Sequence, residues 1–217
     1  MRSFKALAIP SLLLIASSAT HATTILIDAT TRNGNFEVTA AGGINDGDRT
    51  FADTADWTNT NGAQTAQATR NTPANLDSTG DYTGASGGYN AVVSEGAGQY
   101  FSNETGHTVA AGDVYDATLY WIDAFGWTDT ADQIALEFFT TVDDTIGGTV
   151  EDVLQFLSGV SSTDATYQEF SVTGTSLPAA FEGDALFVRF LPVNGNATNG
   201  FARVDDFSLS VTPVPEP

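Results

Sequence analysis

Cysteine is absent from the 217-residue chain. That removes a disulfide framework, a thiol nucleophile and a thiolate zinc site in one step. Lysine occurs once, at Lys5, so the rest of the chain has no amine for a Schiff base or a Ser–Lys pair. Histidine occurs twice, at His21 and His107. A His-rich metal centre is therefore excluded, and a Ser–His–Asp triad would rest on His107 alone. The stretch Glu104-Thr105-Gly106-His107 reads as a turn between strands, which makes His107 an exposed loop histidine. No Gly-rich loop follows a strand and opens a helix, so nucleotide phosphates have no cradle. Apolar runs long enough to span a bilayer are missing too.

What is present begins with a leader. Arg2 and Lys5 form a positive start, residues 6–16 an apolar run, and Thr20-His21-Ala22 a small-residue cleavage site. Residues 1–22 therefore read as a secretory signal peptide, and the chain is expected to be exported. Cleavage removes 2 of the 7 basic residues and none of the 27 acidic ones, leaving 5 − 27 = −22 formal charges. Such a surface repels nucleic acid and anionic lipid, and it suits cations. With no disulfides, the exported domain depends on its core and on any metal it holds.

The rest is rich in Thr, Gly, Ala, Asp and Asn, with short runs of aromatic and β-branched residues. Apolar positions alternate at period two between turn signals, the signature of half-buried strands. Residues 24–29 (TILIDA) form a first strand, and 33–38 (NGNFEV) open with a turn and send Phe36 inward. Residues 39–56 read as a Gly/Asp-rich loop ending at Trp57, 64–69 as a weak strand, and 71–88 as a second long loop. Residues 89–94 and 98–103 read as a hairpin around Glu95-Gly96-Ala97. Residues 113–125 alternate cleanly, with Tyr115, Ala117, Leu119 and Trp121 on one face and Thr118, Tyr120 and Ile122 on the other. Strands follow at 133–142, 153–160, 167–173, 185–192 and 201–211; a helix over 150–157 is the alternative there. About ten short strands with regular turn signals predict one antiparallel β-sandwich over residues 23–211, closed as a jelly roll. Residues 212–217 form a Pro-rich tail.

Three constellations carry chemistry. Strict alternation in 201–211 places Asp205 on the core side with Phe207, Leu209 and Val211, and Asp206 on the other. A buried carboxylate needs a partner. Calcium, which takes six to eight oxygen ligands, is the candidate, with Glu37, Asp46, Asp48, Asp205 and Asp206 as possible ligands. The competing reading is a solvated strand end bonded to backbone amides. Glu137 and Glu169 form the second constellation, a carboxylate pair of the kind that cleaves glycosidic bonds. Acids are so common here that two on one face are also expected by chance. The third is a set of aromatic rings at Trp57, Tyr120 and Trp127, suited to stacking on sugars; Trp57 and Trp127 read rather as plugs at the core rim, because an indole gains much from burial.

The combination of Asn33-Gly34-Asn35-Phe36-Glu37, then Trp57, then Val204-Asp205-Asp206-Phe207-Ser208-Leu209 resembles the galactose-binding-like jelly rolls of bacterial carbohydrate-binding modules. The resemblance covers 33–211 and rests on these three motifs. It implies a non-catalytic, glycan-binding domain. It also implies a structural calcium joining Glu37 to Asp205, at the seam where the chain's ends meet. The final Val214-Pro215-Glu216-Pro217 resembles the start of the PEP-CTERM sorting signal of exopolysaccharide-producing Gram-negative bacteria. There the motif is followed by a spanning helix and an Arg cluster read by an exosortase. The expected setting is thus the cell surface or exopolysaccharide matrix, with matrix glycans as partners. A structural or adhesive matrix protein without a sugar site is the alternative, and a carboxylate-pair glycosidase the third.

Overall fold

Residues 22–37, 44–46, 49–58, 65–70, 89–94, 101–124, 133–159, 167–193 and 201–214 are described in this computed structural model. The strands in chain order are β1 (Thr24–Ile27), β2 (Ile44–Asp46), β3 (Arg49–Thr58), β4 (Thr65–Arg70), β5 (Tyr89–Ser94), β6 (Phe101–Thr108), β7 (Val114–Ala124), β8 (Gln133–Thr141), β9 (Val150–Leu157), β10 (Gln168–Thr175), β11 (Ala185–Val193) and β12 (Phe201–Thr212). Among these residues the only helical piece is a 3-10 turn at Ala179–Phe181.

All pairings are antiparallel, and the strands run in the order β10-β7-β12-β5-β4-β3-β6-β11-β8-β9. This path folds into two layers. One holds β10, β7, β12 and β5, with β1 along the second half of β12; the other holds β6, β11, β8 and β9. Between them β3 turns the corner. Phe51–Asp53 and Thr58 pair with β4, Trp57 and Thr58 also pair with β6 on the other side, and the register against β4 slips between Asp53 and Thr58, where Asp56 has φ +67°. A local bulge of this kind bends a strand and lets it serve both layers.

The core lies between the layers because the alternation puts one apolar face of each strand there. Tyr115, Ala117, Leu119 and Trp121 of β7 are buried, and so are Ile134, Leu136 and Phe138 of β8 and Leu186, Val188 and Phe190 of β11. Rings bridge the two layers: Tyr115 lies 5.9 Å from Phe138, and Phe190 meets Phe207 edge-on at 4.9 Å. Each such side chain contributes about 1.5–3 kcal/mol by leaving water. The jelly-roll-like β-sandwich expected from the sequence is what the chain forms.

Three local expectations are corrected, and one choice between alternatives is decided. The predicted loop at 39–56 contains β2 and most of β3. The proposed hairpin of 89–94 with 98–103 is not formed among the described residues: β5 pairs with β4 and β12, and β6 pairs with β11 and β3. A short turn suggests a hairpin, but the two segments enter different layers. The strand expected at 153–160 is formed, three residues earlier at 150–157, and the alternative helix there is not, because Leu154 and Phe156 face the core at period two. His107 stands within β6, which runs on past the predicted turn to Thr108.

Candidate functional site

The three motifs meet at one place. Midway along β12 its second edge changes partner: Phe201–Val204 pair with β5, and Leu209–Val211 pair with β1. At the change the register against β7 slips between Asp205 and Ser208, and Asp206 takes φ +47°. The loop after β1 fills the gap. Its turn is built by Asp28, whose Oδ1 accepts from Thr30 N–H at 2.8 Å, Thr31 N–H at 2.6 Å and the Thr30 hydroxyl at 2.9 Å. The Thr30 amide, with the hydroxyl and the Thr31 amide behind it, holds the Asp28 carboxyl below its usual range.

From that turn the chain is tied in several directions. Gly34 N–H donates to Asp28 O at 2.7 Å, and Phe207 N–H donates to Gly34 O at 2.8 Å. The Trp57 indole N–H donates to Asn33 O at 2.9 Å, and Asn33 Nδ2 donates to Ala55 O at 3.2 Å. Asn103 Nδ2 donates to Arg32 O at 3.1 Å. Phe36 packs within 5.1 Å of Trp57 and 5.7 Å of Phe101. The first motif, the tryptophan and the last strand are thus a single structural unit.

The slip at Asp206 overturns the expected facing of Asp205. Directly opposed residues of an antiparallel pair share a face. Val204 opposes Trp121, a core residue, whereas Asp205 opposes Tyr120 and Arg203 opposes Ile122. Asp205 therefore lies on the outward face, away from Phe207 and Leu209. The extra residue supplied by Asp206 flips the parity that strict alternation would have kept.

That outward face is chemically organised. Across β10, β7 and β12 one row reads Glu169, Tyr120, Asp205; the next reads Ser171, Thr118, Ser208. Neighbouring strands are about 4.8 Å apart, so each residue of a row touches the next. Tyr120 O–H approaches Glu169 Oε2 at 3.4 Å, Ser171 Oγ donates to Glu169 Oε1 at 2.7 Å, and the Thr118 and Ser171 hydroxyls lie 3.3 Å apart. Exposure changes along the strands. Ile122, Arg203 and Asp205 are buried, Tyr120 and Thr118 are half-buried, and Glu169, Ser171 and Ser208 are exposed. Tyr120 stands where a sheltered end meets an open one.

The expected metal ligands are placed as follows. Asp205 is 0% exposed, and its Oδ1 accepts from Asp206 N–H at 2.8 Å. Asp206 is half-buried in the bulge, and Glu37 is half-buried at the end of the loop bonded to that bulge. The seam joining the first motif to the last is therefore present. A cluster of three acidic side chains is not: among the described residues no three His, Cys, Asp or Glu converge on a metal position. A calcium ion here would fit only with carbonyl oxygens completing the shell of two carboxylates. The side chain of Asp46, and all of Asp48, lie outside the described residues.

Of the three candidate rings, Tyr120 is on the outward face. Trp57 is a core residue, as the plug reading has it, and its candidate role as a sugar platform is corrected: it is 1% exposed and ringed by Phe36, Phe101, Phe190 and Phe207 at 5.1–6.0 Å. No ring face is left to stack on a ligand. Trp127 lies outside the described residues.

The carboxylate pair is taken apart by the layers. Glu169 is on the outward face of β10, and Glu137 is on the outward face of β8 in the other layer. Two side chains on opposite sides of a sandwich cannot flank one glycosidic bond. Glu137 is engaged instead by Arg189 Nε at 2.5 Å and Gln155 Nε2 at 2.7 Å. The Arg189 guanidinium also covers the Phe139 ring at 4.8 Å.

His107 is no exposed loop residue either. Its Nε2 lies 2.7 Å from Asp113 Oδ2, which also accepts from Ala110 N–H at 3.0 Å and Tyr115 O–H at 3.2 Å. Burial, reinforced by the Asp113 charge and the hydrogen bond to it, pushes the Tyr115 phenol far above its usual range. Asp113 is itself buried, and no serine hydroxyl is bonded to the His107 ring in this network. The pair braces the β6–β7 connection.

Sequence reasoning placed Ile122 on the outward face with Thr118 and Tyr120 but missed Arg203 there. The signal was present in β7, where Thr118, Tyr120 and Ile122 alternate with the core stripe, but assigning Arg203 requires the register of β12 against it.

No protein-family model matches the chain, and no curated protein matches it. Among solved structures, a cyclase from Fischerella sp. TAU superposes with a TM-score of 0.56 at 15% identity, covering 90% of this chain and 100% of the cyclase. A Stig cyclase from the same organism, solved with an indole ligand, gives 0.58 at 14% identity over 89% of this chain and 100% of its own. The CBM22-1 xylan-binding domain of Paenibacillus barcinonensis gives 0.47 at 15% identity, with 91% and 100% covered. At such identities the cyclases establish a shared β-sandwich and nothing of chemistry.

Proposed function

We propose that this chain is an exported, non-catalytic carbohydrate-binding β-sandwich whose sugar site is the outward face of β10, β7 and β12. The observation that carries the reading is the half-buried Tyr120 ring beside the exposed Glu169 carboxylate, with the Ser171, Thr118 and Ser208 hydroxyls in the next row. A sugar ring presents C–H faces that pack on an aromatic ring and hydroxyls that bond carboxylates. Sites of this type combine an apolar surface with a few placed polar groups. The strongly acidic surface favours neutral glycans over uronic or sulfated ones. Separation of Glu137 from Glu169 removes the carboxylate pair that the enzymatic alternative relied on. Saturable binding to at least one neutral polysaccharide is expected in a soluble-glycan screen; absence of binding across the panel would refute the reading.

Export by the 1–22 leader and sorting through the VPEP tail by an exosortase complete the proposal, with the cell surface or exopolysaccharide matrix as destination. Recovery of secreted protein beginning at Thr23 is the expected outcome of N-terminal sequencing. Calcium is proposed to tie Glu37 to Asp205 across the seam, its shell completed by carbonyls. Occupancy at about a hundred times Kd stabilises by about 2.7 kcal/mol. A chain of this size shifts by roughly 2–4 °C per kcal/mol, so chelation is expected to lower Tm by about 5–10 °C. Asp205→Ala should melt at the same lowered temperature with or without chelator. Identical melts of the parent protein in calcium and in chelator would eliminate the ion.

A further inference from the structure

Strand β9 ends the path of the sheet and pairs, among the described residues, with β8 alone. Its outward face carries Val153 at 43% and Leu157 at 47% exposure. Free strand edges recruit other strands unless blunted by shortness, charge or irregularity. The other edges are blunted. β1 and β2 have four and three residues. β10 carries Glu169, a register slip between Val172 and Thr175, and Gly174 at φ +62°. On β9 the acids Glu151 and Asp152 are confined to the start, and Val153-Leu154-Gln155-Phe156-Leu157 is regular and uncharged.

We propose that β9 is a self-association edge, pairing antiparallel with β9 of a second copy about a twofold axis through Gln155. The stretch is an apolar palindrome. In that register Val153 opposes Leu157, Leu154 opposes Phe156, and Gln155 opposes itself. An isologous interface requires such self-complementarity. Charge placement selects the same register: Asp152 falls opposite Ser158 and Glu151 opposite Gly159, so no acid faces an acid across the seam. Rows already spanning the layer then continue into the partner, Leu157–Ala135–Leu191 and Val153–Phe139–Phe187. Five paired residues per copy fall short of the roughly 1,200 Å² of a stable interface. The pairing is therefore weak, and repulsion between two secreted chains of formal charge 5 − 27 = −22 opposes it at low salt. Raising salt from 0.1 M to 1 M shortens the screening length from about 10 Å to about 3 Å.

Sedimentation of the secreted chain over a concentration series, at these two salt levels, tests the edge. A monomer–dimer equilibrium that tightens with salt is expected, with no larger species, because a twofold seam closes on itself. Val153→Glu and Leu157→Glu place carboxylates on the seam at exposed positions and should each weaken the dimer about tenfold or more, a loss of about 1.4 kcal/mol. Val142→Glu, at a 67% exposed apolar position off the seam, should leave it unchanged. Monomer under every condition, open-ended growth, or a dimer indifferent to the Val153 and Leu157 changes would each overturn the assignment.

Discussion

Trp57→Ala is expected to cost about 3–5 kcal/mol, the range for emptying an aromatic site in a core. The indole is 1% exposed and touches four phenylalanine rings drawn from the first loop, β6, β11 and β12. Truncation leaves a cavity at the point where the two layers and the loop meet. It also strips Asn33 O of its 2.9 Å indole donor. Native domains hold only about 5–15 kcal/mol in reserve, so this one change removes a large share. Roughly 2–4 °C per kcal/mol gives a Tm loss on the order of 10–15 °C. Trp57→Phe keeps most of the ring volume and should lose well under half as much. Were Trp57 a surface platform, Trp57→Ala would leave the melt within a degree or two of the parent.

Gly34→Ala is expected to be nearly as damaging, although it adds only a methyl group. A Cβ at Gly34 would collide with the carbonyl oxygen of Phe207 and stand 2.9 Å from the carbonyl carbon of Asp28. Both obstacles are backbone, and neither swings aside as a side-chain end does. Relief means separating the loop from the β12 bulge, which breaks the 2.8 Å bond from Phe207 N–H to Gly34 O. Overpacking costs about 1–3 kcal/mol where side chains adjust, so about 3 kcal/mol or more is expected here. Gly174→Ala is the control. Its φ of +62° strains any side chain, but no atom lies within 4 Å of the new Cβ. That change should cost only the backbone term, about 1–2 kcal/mol. Equal losses at the two positions would mean that conformation, and not the seam, sets the requirement for glycine at 34.

Both results bear on how much of the molecule its sequence discloses. Alternation marks a strand wherever one face is apolar and the other polar, and β7 and β8 were legible on that ground. It also placed Phe36 correctly in the core. It is silent where small residues dominate, as in Arg49–Thr58, whose RTFADTADWT becomes a strand through pairing with β2, β4 and β6. The hairpin of β5 with β6 failed because a short connection does not fix which layer each strand enters. The meeting of NGNFE, Trp57 and VDDF was legible only as a family resemblance; nothing local shows that Phe207 N–H bonds Gly34 O.

The facing of Asp205 is the instructive error. A period-two count assumes an unbroken ladder, and the break lies in the backbone of Asp206. Asp-Asp occurs only twice in the chain, at 143–144 and 205–206, and in both the second Asp is left-handed, but a period-two count takes no account of backbone conformation. Yet that bulge moves Asp205 from the core to the row of Tyr120 and Glu169, and so makes the proposed site. Indole size already favours a core plug for Trp57, and the structure agrees; the register decides that Tyr120 is the ring that reaches the surface.

The sugar site is tested most directly by calorimetric titration of the parent protein, Tyr120→Phe and Tyr120→Ala with whichever neutral polysaccharide the screen returns. Losing the ring should weaken binding by about tenfold or more, about 1.4 kcal/mol, while Tyr120→Phe keeps the stacking surface and stays within a few-fold of the parent. Undiminished affinity in a folded Tyr120→Ala protein would place the glycan elsewhere and contradict the assignment of this face.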